Sequence, residues 1–368
     1  MKKVNCCICD TLFQLFTALN MFYGQSDDCV TDLFLGTVFL DKKYIIDKLK
    51  EAGIFRRICL YDPREEETSF ISATANKFQR IVRPEKYVDR VVKGDFILKE
   101  QQYTDVYISM AFRFSIAVVL GCPNATLHYY DDGLGSYFGK IYEHSIDYKW
   151  KLIYGLFGKS YKRLYPDVRH VYNVGLCKSE MSGELVEISR NNYLDENYRQ
   201  FLRELFEYER NNIYDRKKII YLTRPNDFKQ AEIDVMDAEI EKKLLAYEKE
   251  CLLRVHPRDF RTDIVSVDKD EFLKLWELVC LDSIREDMSL IGWFSTAQFI
   301  PKILYDMEPE LVLTFPMYKS CFSKEWMTKY FQFVEDVRDI YRDKNKIILI
   351  NSMEEFEQYL RNICENPS

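Results

Sequence analysis

The sequence predicts an α/β protein of two units, each a parallel sheet with helices on both faces. Three observations predict it. Short apolar runs alternate with helical patterns from Val4 to Tyr130 and again from Ile219 to the C-terminal end, the rhythm of β-α-β units. A chain of 368 residues suits two domains. Several of the apolar runs stop in Asp, Thr, His or Ser, and open α/β sheets place their ligands at the carboxyl ends of strands.

The first unit reads as follows. Val4 to Cys9 is a strand. Thr11 to Tyr23 is a helix with Leu12, Leu15, Phe16, Leu19 and Phe22 on one face and Gly24 as its stop. Asp32 to Val38 is a strand, Lys42 to Ala52 a helix closed by Gly53, and Arg57 to Tyr61 a third strand. Ser72 to Val92 holds one or two helices, broken near Pro84. Asp105 to Ser109 is a strand, Phe112 to Leu120 a helix, and Ala125 to Tyr130 a strand. From about 136 to 215 the pattern is irregular and rich in Tyr, Lys and Arg, so that a connector, an acceptor-facing insertion and a homodimer arm all fit it.

Alternation resumes with strands over Ile219 to Leu222, Cys251 to Val255, Ser289 to Trp293, Glu310 to Phe315 and Lys346 to Ile350. The expected helices are Ala231 to Glu250, Lys269 to Cys280, Ala297 to Tyr305, a long one after Lys324, and a last one from Glu354. The expected domains are therefore 1–215, with its insertion at 136–215, and 216–368.

Composition narrows the class. The chain is 47% hydrophobic and 30% charged, as soluble globular proteins are. With 52 basic and 59 acidic residues its formal charge is −7, which argues against nucleic acid as a general partner. Eleven cysteines are scattered without zinc spacing or a CxxC, which reads as free thiols in a reducing cytoplasm. The opening run from Lys2 to Tyr23 is interrupted by Asp10, Gln14 and Asn20 and lacks a small-residue cleavage site, so it reads as a strand and helix and not as a signal peptide. No run of about 18 apolar residues spans a membrane; peripheral attachment to a membrane surface stays compatible with the sequence.

Four stretches carry candidate chemistry. In A-T-L-H-Y-Y-D-D-G-L-G-S-Y a strand ends in Asp131, Asp132 and Gly133. Successive strand side chains point to opposite faces, so one carboxylate can serve as a general base while the other braces the turn. An ordinary capped turn would use the same residues. In L-L-R-V-H-P-R-D a strand ends at His256 and Pro257 between Arg254 and Arg258, a setting that suits a phosphate; taken alone, a surface histidine beside a strand-ending proline is the commoner case. In L-I-G-W-F-S-T-A-Q, Ser295 and Thr296 open a helix, where hydroxyls and N–H groups can hold an anion or simply cap. Thr223 and Arg224 end the first strand of the second unit and are a weaker candidate for the same anion. The Asp10–Thr11 turn lacks the first aspartate of the D-x-D-x-T phosphatase pattern, where Ile8 stands, and that chemistry is rejected.

These motifs resemble those of the bacterial sialyltransferases, which share acid-acid-glycine, then His-Pro, then a Ser/Thr pair. Here they are Asp131-Asp132-Gly133, His256-Pro257 and Ser295-Thr296, and the opening C-I-C-D-T-L-F-Q-L is similar to the start of the lipooligosaccharide sialyltransferases, glycosyltransferase family 52. Capsular polysialyltransferases share the motifs. The resemblance runs from about Val4 to Leu304. It implies a GT-B fold, two Rossmann-like domains facing a cleft, and inverting, metal-independent transfer from CMP-sialic acid to a glycan hydroxyl in lipooligosaccharide or capsule synthesis. It implies Asp131 as base with Asp132 second, His256 as donor to the departing phosphate, and Ser295 and Thr296 on the phosphate oxygens. His256, Pro257, Arg224 and Gly133 are expected near the nucleotide. No cofactor is implied. A GT-B enzyme with another donor such as UDP-glucose, and a nucleotide-binding protein without turnover, are the competing readings.

Overall fold

The computed structural model describes residues 2–26, 28–39, 42–62, 76, 78–137, 152, 154–177, 181–225, 231–259, 268–270 and 274–365. The chain divides into two compact units, Met1–Phe201 and Leu202–Ser368. Each is built on its own parallel sheet.

In the first unit β1 (Lys3–Cys9), β2 (Cys29–Leu35), β3 (Arg57–Leu60), β4 (Asp105–Ile108), β5 (Thr126–Tyr130), β6 (Val168–Val171) and β7 (Glu184–Glu187) lie in the order β3-β2-β1-β4-β5-β6-β7. All neighbours are parallel, with Cys6 beside Asp32 on one side and Val106 on the other. The order reverses between β1 and β4, the switch point where such sheets open at their carboxyl ends. Helices α1 (Leu12–Phe22), α2 (Lys43–Ala52), α3 (Pro84–Val91), α4 (Leu98–Gln101), α5 (Arg113–Gly121) and α6 (Glu196–Leu205) complete the unit, the last running across the boundary. Proline at the first position of α3 has no N–H to leave unsatisfied there. Ile8, Phe34, Val106, Leu127, Phe114 and Val118 belong to one buried cluster. Within the sheet Asp32 is fully buried, and it is tolerated because Arg56 grips it with two bonds of 2.6 and 2.7 Å while Tyr103 donates at 2.7 Å.

The irregular stretch after the fifth strand is partly sheet. β6 and β7 extend it by two parallel strands, which the short sequences V-R-H-V and E-L-V-E conceal because charged residues sit in them. Residues 138–151, 153 and 178–180 of that stretch lie outside the described residues, as do 72–75 and 77 of the helical segment expected from Ser72. Residues 202–215 pack with the second unit: Arg203 pairs with Asp282 at 2.8 and 3.0 Å, and the Tyr214 hydroxyl donates to Asp270.

The second sheet has β8 (Ile219–Leu222), β9 (Cys251–Arg254), β10 (Lys269–Asp270), β11 (Ser289–Gly292), β12 (Glu310–Leu313) and β13 (Ile347–Leu349) in the order β10-β9-β8-β11-β12-β13, again all parallel. Helices α7 (Ala231–Leu245), α8 (Trp276–Ser283), α9 (Thr296–Tyr305), α10 (Lys324–Ile340) and α11 (Met353–Glu365) surround it. The helix expected from Lys269 to Cys280 is corrected: Lys269 and Asp270 form the edge strand β10, and the helix starts only at Trp276. Asp270 is held in the strand by Arg254 of β9 and by Tyr214, which outweigh the local helical pattern. Gln298 on α9 is fully buried and donates to Leu290 O and Val312 O, pinning the helix to two strands. No helix among the described residues is long and apolar enough to cross a membrane, and all eleven cysteines are free thiols.

Arg224, just past β8, points into the unit and not outward. Its Nε donates to Asp237 at 2.6 Å and its Nη2 to Asp234, both on α7, and Asp237 also takes the Tyr318 hydroxyl at 2.7 Å. Removing one partner of a buried pair strands the other charge. Arg224→Leu should therefore lower the free energy of unfolding in urea by about 3–5 kcal/mol; an unchanged urea midpoint would mean that the pair does not hold α7 to the sheet.

Candidate active site

The carboxyl ends of the first sheet carry three aspartates. β5 is apolar and aromatic to Tyr130, and the chain then turns at Gly133, whose φ of 89° lies in the left-handed region that favours glycine. Asp131 is fully buried. It accepts from the Gly133 N–H at 2.7 Å, from the Tyr172 N–H at 3.3 Å and from the Tyr137 hydroxyl. It thus ties the end of β5 to the residue after β6 and to the turn Leu134–Tyr137. Burial pushes its pKa up to about 6, although its donors favour the carboxylate.

Asp132 points elsewhere and is half-buried. Its backbone N–H donates to Ser136 Oγ at 2.8 Å, and its Oδ1 accepts from Gln14 Nε2 at 3.1 Å. Burial pushes it up to about 7; the charges of Asp131 and Asp10 add to that, and the Gln14 bond opposes it. Asp10 follows β1. Its Oδ1 accepts from the Tyr61 hydroxyl at 2.6 Å, and burial again raises its pKa. The backbone of Gly36, at the end of β2, lies so close that a Cβ there would sit 2.4 Å from Asp10 Oδ1. Among the described residues no lysine or arginine bonds to any of the three. A half-buried carboxylate with a pKa near 7 is suited to taking a proton at neutral pH.

The second unit carries donors at the same ends of its own sheet. Thr223 Oγ1, after β8, accepts from the His256 N–H at 2.9 Å, so the residues following β8 and β9 are joined. His256 Nδ1 accepts from the Arg258 N–H at 3.0 Å. In the neutral ring the proton then sits on Nε2, which makes that nitrogen a donor. Ser295 is the N-cap of α9: its Oγ accepts from the Ala297 N–H at 3.3 Å, and Gln298 completes a capping box. Thr296 is the first residue of the helix and is half-exposed. β8 lies between β9 and β11, so at a strand spacing of ~4.8 Å the His256 and Ser295 ends are roughly 10 Å apart. Pro257 is exposed, three residues past the end of β9.

The sequence motifs are thus gathered within each unit: Asp131, Asp132 and Gly133 at one sheet end, Thr223, His256, Ser295 and Thr296 at the other. Arg224 is next to Thr223 in sequence but is engaged with α7. Gln14, Ser136, Tyr61, Tyr137 and Tyr172 escaped the sequence reading. Only Gln14 had a visible signal, since its polar side chain interrupts the apolar opening run four residues after Asp10. Among the described residues no group of three His, Cys, Asp or Glu side chains could hold a metal ion.

No family model matches the sequence, and no curated protein matches it. Solved structures do match the fold. The glycotransferase of kitacinnamycin superposes with a TM-score of 0.54 at 8% identity, covering 100% of this chain and 92% of that one. CalG4, the calicheamicin glycosyltransferase, gives 0.52 at 7% identity over 100% and 91%. A protein described as a UDP-N-acetylglucosamine 2-epimerase from Listeria monocytogenes gives 0.51 at 10% identity over 100% and 89%. The two doubly wound sheets and these likenesses give the chain a GT-B fold.

Proposed function

We propose that the chain is an inverting, metal-independent sialyltransferase that moves sialic acid from CMP-sialic acid to a hydroxyl of a glycan acceptor, as in the synthesis of surface lipooligosaccharide or capsule. The observation that carries the reading is Asp132: a half-buried carboxylate at a strand end, held near pKa 7 with one oxygen bonded to Gln14. The motif order that resembles family 52 supplies the donor. Acceptor and donor are the partners of this reading, and the reaction requires no cofactor.

In this mechanism the acceptor hydroxyl attacks the anomeric carbon and its proton passes to Asp132. The bond from that carbon to the phosphate oxygen breaks with its electron pair on the oxygen. His256 Nε2–H donates to the phosphate, and Ser295 and Thr296 at the start of α9 hold its other oxygens. In this reading Asp132 takes the role that the family pattern gives to Asp131, because Asp131 is fully buried and bonded to Gly133, Tyr172 and Tyr137. A second reading keeps the fold and uses a UDP sugar; it is favoured by the likeness to a protein described by its UDP-N-acetylglucosamine substrate.

A comparison of CMP, UDP and GDP by thermal shift separates the two. A nucleotide at about a hundred times its dissociation constant stabilises the fold by about 2.7 kcal/mol. Stabilisation by CMP alone is expected; stabilisation by UDP alone would move the donor to a hexose. With CMP-sialic acid, Asp132→Asn should lower turnover at least about a hundredfold, EDTA should leave it unchanged, and wild-type kcat/KM should rise with pH through about 7. Full activity in Asp132→Asn would remove it as base, and full inhibition by EDTA would contradict the metal-free reading.

Stability should move the other way. The folded pKa of Asp132 lies above that of an unfolded aspartate, about 3.9. The native state therefore holds the extra proton between about pH 4 and 7, and stability falls as pH rises through that window. Asp132→Asn should be more stable than wild type at pH 8, by about 1 kcal/mol or more, and equal to it below about pH 4. Equal urea midpoints at both pH values would show that Asp132 carries no burden of burial.

A further inference from the structure

Gln14 belongs to the opening motif, yet the mechanism above leaves it without a role. It is 1% exposed on the first turn of α1. Thr11, the N-cap, accepts from the Gln14 N–H at 3.2 Å and fixes that turn. Gln14 Oε1 accepts from the Asp10 backbone N–H at 2.6 Å, and Gln14 Nε2 donates to Asp132 Oδ1 at 3.1 Å. A flipped amide would set NH₂ against an N–H and a carbonyl against a carboxylate, so both contacts allow one orientation only. The first contact selects the second. Asp132 Oδ1 is thereby occupied, and Oδ2 has no partner among the described residues.

We propose that Gln14 is the positioning residue of Asp132, orienting its carboxylate so that Oδ2 receives the acceptor proton, with Asp10 serving through its backbone N–H to lock the Gln14 amide. This rests on the reading of Asp132 as base. The groups that face Asp132 are Asp131 from the same strand end, Asp10 from the β1–α1 turn and the Tyr130 phenol of β5. Both charged neighbours are negative and oppose ionisation. Gln14 is the donor that favours the carboxylate, and it acts from a helix that contributes no other group to the base.

The test uses the whole chain labelled with carboxyl-¹³C aspartate, with the Asp132 resonance assigned by its loss in Asp132→Asn. Gln14→Met keeps the side-chain volume and removes the donor. Gln14→Leu also removes the donor and adds no titrating group, so one variant serves if the other does not fold. In either, the Asp132 titration should move upward by about one pH unit, and the acid limb of CMP-sialic acid hydrolysis should move with it, activity returning at higher pH. A general packing defect would instead lower activity at every pH without moving the limb. An unmoved Asp132 resonance in a folded variant would overturn the role of Gln14 even if Asp132→Asn is inactive. A resonance that moves while Asp132→Asn stays fully active would overturn the base reading, and the catalytic role of Gln14 with it.

Discussion

A buried carboxylate that no lysine or arginine among the described residues bonds survives only if N–H and O–H donors converge on it, and Asp131 is the place where this chain meets that demand. The three donors come from a glycine two residues on, from a tyrosine at the end of the turn, and from the backbone beyond the neighbouring strand. Asp131 thus behaves as a rivet. It sets how β5 ends, where β6 ends beside it, and which way the next residue faces. Asp131 and Asp132 meet different partners, since consecutive side chains at a strand end point to opposite faces.

The two units solve opposite electrostatic problems on one architecture. The rim of the first sheet gathers acids whose pKa values burial raises, with the charges of Asp131 and Asp10 adding to that at Asp132. The rim of the second gathers hydroxyls, an imidazole N–H and a helix N-terminus. A parallel sheet makes both arrangements easy, because every strand delivers its last residue to the same edge. What differs is only which residue types stand there. The Asp32–Arg56 pair sits away from these rims, whereas Arg224 stands at the end of β8 and spends its charge on holding α7 to the sheet.

Much of this architecture was legible. Ile219–Leu222 is a short apolar run bounded by polar residues, and the structure ends it where the change in polarity lies; the strand expected over Cys251 to Val255 stops one residue sooner, at Arg254. β6, β7 and β10 were not legible, because their side chains carry charge and their identity as strands is conferred by neighbours: His170 beside Tyr130, Asp270 beside Arg254. The acidic, imidazole and hydroxyl motifs could be placed at strand ends from the sequence. The division of labour within Asp131-Asp132 could not, for it depends on Tyr137, Tyr172 and Gln14, which are 6, 41 and 118 residues away in the chain. Arg224 illustrates the reverse limit: an arginine after a strand looks anion-facing until α7 supplies two aspartates.

β1, an interior strand of the first sheet, carries three thiols in a span of four residues. Cys6, Cys7 and Cys9 are fully buried, with 4.0 Å between the sulfurs of Cys7 and Cys9, and burial pushes the Cys6 and Cys7 thiols well up. Thiolate is the reactive form, so in the folded chain Cys6 and Cys7 are chemically silent. They become ordinary thiols as soon as β1 leaves the sheet. Unfolding in an oxidising medium would then be a one-way event, with sulfur chemistry overtaking the return of the strand. The durability of the first unit is therefore a property of the chain together with the redox poise around it.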